Sequence, residues 1–204
     1  MIQTNNTPSR QTLRQRRQAI SPSERIQRDA DISQHLHNCA LALRCRHIAG
    51  YLANDGEPSN DAFIKRCWQQ DRAYYLPIVK NKTLLFARYK PNEPLVSNKY
   101  SIKEPLPSIL LPAKFLSAIL VPLVGYDLKG NRLGMGGGFY DRALSFVRRL
   151  PCQKRPLLIG IAYGCQRVKH INKQPWDVPL DAVINEKGLL CFNNKSYGLL
   201  RKNQ

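Results

Sequence analysis

The run SAILVPLV at residues 117–124 constrains the fold most, because it is the most apolar segment of the chain and leads into its densest glycine stretch. A short apolar run bounded by turn residues reads as a buried strand. HIAGYLA (47–53), AYYLPIV (73–79), LLFARY (84–89), RPLLIGIAY (155–163) and DAVIN (181–185) read as further strands, with Pro77 marking an edge or a strand end. Helical segments fall between them. Residues 8–19 form a basic helix candidate. Next comes a long amphipathic helix with Ser21 as N-cap, Pro22 in the first turn and Glu24 completing a capping box. Its apolar stripe is predicted along Ile26, Ala30, Ser33, Leu36, Ala40 and Leu43. Asn60 is predicted to cap a helix through Phe63, Ile64, Cys67 and Trp68, and YDRALSFVRR (140–149) is another helix. Strands alternating with helices imply an α/β fold with a largely parallel sheet.

The glycine stretch then acquires a place. GNRLGMGGGFYDRA (130–143) holds five glycines in nine positions: Gly130, Gly134, Gly136, Gly137 and Gly138. Such density suggests that something approaches the backbone closely. The order strand, glycine loop, helix puts the stretch at the carboxyl end of a buried strand, where open α/β sheets place their ligands. Loop N–H groups and a helix N-terminus make an anion site, so the ligand expected is phosphate. Neither a Walker A loop nor G-x-G-x-x-G fits the spacing. Arg132 offers a planar fork suited to phosphate. Asp141 either complements a helix dipole or serves as a magnesium ligand beside phosphates.

Charge narrows the partners. The chain carries a formal +18, with six arginines against one glutamate before Asp29. That favours polyanions in general, and a diffuse excess also serves as a solubilising surface. No apolar run approaches the ~20 residues of a membrane span. The N-terminus has no apolar h-region; it is Arg-rich and acid-poor like a transit peptide, but is read instead as the start of the first helix. Six cysteines without a C-x-x-C pair read as buried thiols rather than a disulfide framework. His35, His37 and Cys39 lie in a helical stretch where i and i+2 side chains do not share a face, which argues against zinc.

Residues 121–144, VPLVGYDLKGNRLGMGGGFYDRAL, resemble the signature region of the 5-formyltetrahydrofolate cyclo-ligase family. The core R-L-G-x-G-x-G-[YF]-Y-D is matched from Arg132 to Asp141. RQTLRQRRQAISPSER resembles the family's basic opening and YLANDGEPSNDAFI its second block. YLPIV, LLFARY and IKEP fit the middle, and GIAYGCQRV with WDVPLDAVI the end. The likeness runs from about Arg10 to Asn185. It implies a single domain over residues 1–204, three-layer α/β/α, with the basic helix of residues 1–20 packed on or near an ATP site. It also implies ATP- and Mg2+-dependent conversion of 5-formyltetrahydrofolate to 5,10-methenyltetrahydrofolate, with ADP and phosphate released. The formyl oxygen would attack the γ-phosphate and N10 would close the ring, with no side-chain nucleophile.

By the same resemblance, Arg132, Leu133, Gly134, Met135, Gly136, Gly137, Gly138, Phe139 and Tyr140 would wrap the ATP phosphates, with Arg10 and Arg14 reaching in. Asp141 and Asp181 would hold Mg2+. Glu57 would contact the folate with Leu52 adjoining, and Met135 to Phe139 would border both ligands. An ionised carboxylate at Glu57 suits the N–H donors of a pterin ring. Arg10 stands where the family has lysine, and Trp176-Asp177 where many members have His-Asp. The basic charge would attract ATP and folates, including polyglutamates, and the bacterial look of GMGGGFYDR implies a cytoplasmic protein. Two rival readings are an ATP-dependent ligase for another small acid and a nucleic-acid-binding module using the basic helix. The second lacks any zinc-finger spacing, RNP-type motif or heptad, so specific nucleic-acid and membrane partners are not expected.

Overall fold

In the computed structural model, which describes residues 7–106 and 109–200, the apolar run becomes a strand with Ala118, Ile119, Leu120 and Val121 wholly buried. The helices are α1 (Arg10–Gln18), α2 (Pro22–Asn38), α3 (Leu41–Arg44), α4 (Asp61–Gln69), α5 (Phe139–Ala143) and α6 (Asn194–Leu200). The strands are β1 (His47–Ala49), β2 (Ala73–Lys80), β3 (Thr83–Tyr89), β4 (Leu95–Ser97), β5 (Lys103–Pro105) and β6 (Leu110–Leu111). They continue as β7 (Ala118–Pro122), β8 (Gly125–Tyr126), β9 (Arg132–Leu133), β10 (Leu157–Ile161), β11 (Ala182–Asn185) and β12 (Gly188–Cys191).

Eight strands form one sheet in the order β12-β11-β10-β7-β1-β2-β3-β6. The contacts from β11 through β10, β7 and β1 to β2 are parallel, and antiparallel strands close both edges. Alternate residues of the central strands feed opposite faces. Ile48, Leu120, Ile159 and Ile184 pack under Ile32 and Leu36 of α2, Phe63 and Ile64 of α4 and Leu200 of α6. Ile119, Val121, Leu158 and Val183 pack under Leu116, Leu144 and Val147. Each such aliphatic contributes roughly 1.5–3 kcal/mol of transfer free energy. Helical layers therefore cover both faces, the second thinly, by α5 and the 3-10 turn Ser145–Arg149.

The α2 capping box forms as expected, Ser21 and Glu24 exchanging their bonds. The apolar stripe differs. Ile26 is 74 % exposed, and the buried side of α2 instead runs Asp29, Ile32, Leu36, ending on Cys39, where the backbone turns extended. Asp29 sits on that side because its carboxylate accepts from the Tyr163 hydroxyl at 2.6 Å. Pro77 lies mid-strand in β2, but β1 pairs only with residues 73–75, so the strand is an edge on that side where the proline falls.

Candidate active site

The glycine stretch is split by its backbone. Between β7 and the loop the chain makes the β8–β9 hairpin, so strand and loop do not follow directly. Asp127 staples the hairpin turn, its carboxylate accepting from the N–H groups of Lys129, Asn131 and Ile171. Gly130 belongs to this turn: its φ is +80° and a Cβ there would lie 2.8 Å from the Leu180 carbonyl oxygen. It is a structural glycine. The other four form an open loop in which Gly136 and Gly138 take φ of +100° and +64°, and Gly134 has nothing within 4 Å of a Cβ position. Met135 is 56 % exposed. α5 is only five residues long, so the loop N–H groups, rather than a helix terminus, are the donors available to an anion here.

Two arginines tie the loop down through its carbonyls. Arg10 Nε donates to Gly134 O at 2.9 Å and Arg142 Nη2 to Gly137 O at 2.6 Å. The α1 helix thus touches the loop. Phe139 meets Tyr100 edge-on at 5.6 Å between ring centroids, with the Arg142 guanidinium 5.2 Å from its own ring.

Arg132 is turned inward from the loop. Its Nη2 donates to Asp141 Oδ1 at 2.5 Å and its Nη1 to Val178 O, with only 5 % of the side chain exposed. Its fork is thereby occupied on both sides, and it meets the expected phosphate site through Asp141. Val178 N also approaches Asp141 Oδ1, at 3.5 Å. Both contacts fall on one oxygen of a carboxylate that is 27 % exposed, which suits a carboxylate with a second oxygen to offer a cation. Asp181 does not join it. It is wholly buried, with Arg155 donating to both oxygens at 2.8 and 2.7 Å, Leu158 N at 2.8 Å and Asn193 Nδ2 at 2.7 Å. Four donors meet its two oxygens, an arrangement that fits a structural carboxylate. Asp177, next to Val178, accepts instead from Gln174 N at 2.8 Å.

The second half of the site is the turn at residues 54–57, where Asp55 and Gly56 both take positive φ, 50° and 73°. Arg14, expected at the phosphates, pairs through Nε with Asp55 Oδ2 at 2.7 Å. Arg17 Nη2 reaches the same oxygen at 2.8 Å, and these cations with Gln18 hold the Asp55 carboxyl below its usual range. Glu57 accepts from Asn54 N at 3.2 Å and lies 3.8 Å from Arg17. Burial pushes its carboxyl up to about 7, against the pull of Arg17. Leu52, half-buried, packs on the core at the base of this turn. Tyr140 turns its hydroxyl into the interior, where among the described residues it has no hydrogen-bond partner. Burial and then the Glu57 charge raise its pKa.

Arg17, Asp55 and Tyr100 were not among the expected site residues. The first was visible in principle, since Arg10, Arg14 and Arg17 fall at i, i+4 and i+7 on one helix face. The loop partners carry no such period.

A description of the 5-formyltetrahydrofolate cyclo-ligase family matches residues 3–186. The 5-formyltetrahydrofolate cyclo-ligase of Haemophilus influenzae is 38 % identical, covering 88 % of this chain and 98 % of that protein. The Escherichia coli K12 protein of the same name is 33 % identical over 84 % and 95 %. A mitochondrial relative from Arabidopsis thaliana is 26 % identical over 89 % and 74 %. The 5,10-methenyltetrahydrofolate synthetase of Aquifex aeolicus has a similar fold, TM-score 0.78 at 24 % identity over 91 % of each chain. That of Mycoplasma pneumoniae superposes with TM-score 0.68 at 28 % identity, over 87 % and 96 %. A glycine loop and an acidic turn gathered by one arginine-bearing helix, together with likeness over most of its length, place this chain in the 5-formyltetrahydrofolate cyclo-ligase family.

Proposed function

We propose that this chain converts 5-formyltetrahydrofolate to 5,10-methenyltetrahydrofolate with ATP, releasing ADP and phosphate. The observation that carries the reading is the junction made by α1. Arg10 holds the glycine loop while Arg14 and Arg17, on the same helix face, hold the turn that carries Glu57. Two ligand sites are thereby set side by side, as a reaction between two bound molecules requires.

The formyl oxygen attacks the γ-phosphorus, ADP leaves, and an imidate-like phosphate forms at the N5 formyl carbon. N10 adds to that carbon, its proton passes to solvent, and phosphate leaves with the former formyl oxygen. No side chain serves as nucleophile; the protein positions both molecules and disperses charge. Arg10 and the backbone of Gly134, Met135, Gly136, Gly137 and Gly138 border the phosphates. Leu52, Glu57 and Phe139 border the folate, the Glu57 carboxylate accepting the pterin N–H groups. Asp141, oriented by Arg132, fits Mg2+, which takes one or two carboxylates plus phosphate oxygens and water. The ion supplies neutralisation of the triphosphate charge when bound. The +18 charge favours anionic substrates, including folates with several glutamates.

Cys45, Cys67 and Cys165 are free thiols, burial pushing the first two up to about 11 and about 12. They fit a reducing compartment such as the cytoplasm. Among the described residues no helix is long and apolar enough to cross a membrane.

The test is the absorbance of methenyltetrahydrofolate formed from 5-formyltetrahydrofolate, with ATP and Mg2+ withheld in turn. Product that requires both is expected. Folded protein that binds ATP yet forms no product would overturn the folate reading in favour of another acid substrate.

A further inference from the structure

Arg17 joins three segments of the site. Its side chain is 0 % exposed, and a buried guanidinium persists only where charge and acceptors hold it. Nη2 donates to Asp55 Oδ2 at 2.8 Å. Nη1 donates to Leu123 O at 3.3 Å, just beyond β7, and lies 3.8 Å from Glu57 Oε1. Arg25 of α2 backs the arrangement, donating to Gly56 O at 2.6 Å and to Arg17 O at 3.0 Å. The acidic turn is thus fixed from two helices and from the strand that leads to the glycine hairpin.

We propose that Arg17 is a positioning residue for folate recognition, holding the Glu57 carboxylate in place as a ready acceptor for the pterin N–H donors. The proposal rests on the reading of Glu57 as the folate carboxylate. A fork is needed, because one donor pair spans Asp55 while the other reaches Leu123 and the neighbourhood of Glu57; a lysine ammonium cannot do both. The charged and titratable groups facing Glu57 are Arg17 from α1, Asp55 on its own turn, Tyr51 beyond β1 and Tyr140 from α5. Only Arg17 among them favours the ionised acid. The Glu57 carboxyl stands at about 7, and its neutral form has lost acceptor capacity. The KM for folate therefore falls as pH rises through about 7, where the carboxylate forms.

The experiment measures KM for 5-formyltetrahydrofolate and for ATP across that pH range in wild type, Arg17→Met, Arg17→Lys and Glu57→Gln. In Arg17→Met the folate KM near neutrality rises about ten-fold, the pH midpoint moves up by about one unit, and the ATP KM stays within about two-fold. Arg17→Lys restores the midpoint but keeps a KM raised about three-fold. An unmoved midpoint in Arg17→Met, folate and ATP KM rising together, or a wild-type folate KM in Arg17→Lys would each overturn the proposal. Arg17→Lys keeps the test decisive even if the methionine variant does not fold. Glu57→Gln separates the two claims: it should raise the folate KM and flatten its pH profile. If it does neither, the reading of Glu57 itself fails.

Discussion

The acidic turn at 54–57 and the glycine loop at 134–138 are held by the same helix, yet their surroundings are opposite. The turn is saturated by its own chain: Asp55 takes bonds from Arg14, Arg17 and Gln18, Gly56 from Arg25, and Arg17 is fully buried beneath it. The loop is bare, with Met135 outward, open space beside Gly134, and two arginines gripping only its carbonyls. A heterocycle without formal charge needs an acceptor fixed in advance, since little Coulomb energy would organise one on arrival. A triphosphate brings its own field and can order a loop of N–H groups around itself. One half is preorganised by ion pairs; on the proposed reading, the other is completed by the anionic ligand.

The sharpest way to break this contrast is to compare two aspartates that look alike in the sequence. Asp141→Asn is expected to lower turnover by about a thousand-fold while leaving folate binding intact, if the carboxylate acts on the phosphate side as proposed. Equilibrium folate binding and single-turnover rates check it; near-normal turnover would remove Asp141 from the metal site. Asp181→Asn should do the reverse, costing about 2–4 kcal/mol of stability by leaving Arg155 buried beside a neutral partner. Denaturant unfolding reads that loss, and a Mg2+ requirement unchanged from wild type would accompany it. The smallest effect is expected at Arg10, which is exposed and makes one bond to the loop. Arg10→Ala should raise the ATP KM about five-fold, equivalent to ~1 kcal/mol, with the folate KM unchanged. A folate effect at Arg10 would merge the two halves.

The division also explains what the sequence discloses. Local signals translate directly: Ser21 and Glu24 form their box, the 117–124 run lies at the centre of the sheet, and four of five clustered glycines form one loop. Signals that depend on distant partners do not. Ile26 fits a helical stripe, but the stripe is set by where Asp29 meets Tyr163, 134 residues away. Asp181 sits in a family-like motif, yet Arg155 and Asn193 decide its chemistry. Gly130 joins the glycine cluster in sequence and leaves it in space, because Leu180 crowds its turn. The strand β12 and helix α6 lie beyond the last segment with a readable pattern. The basic helix illustrates both cases: Arg16 is exposed like an ordinary surface charge, whereas Arg10, Arg14 and Arg17 turn to the site. Charge counting cannot separate them; helical phase can.

The central claim, that the chain transfers the γ-phosphoryl group to the formyl oxygen, is tested most directly by following that oxygen. Wild-type protein is given 5-formyltetrahydrofolate carrying heavy oxygen in the formyl group, with ATP and Mg2+, and the released phosphate is analysed by mass spectrometry. One heavy oxygen is expected in each phosphate formed. Unlabelled phosphate, with the label recovered in water, would contradict it.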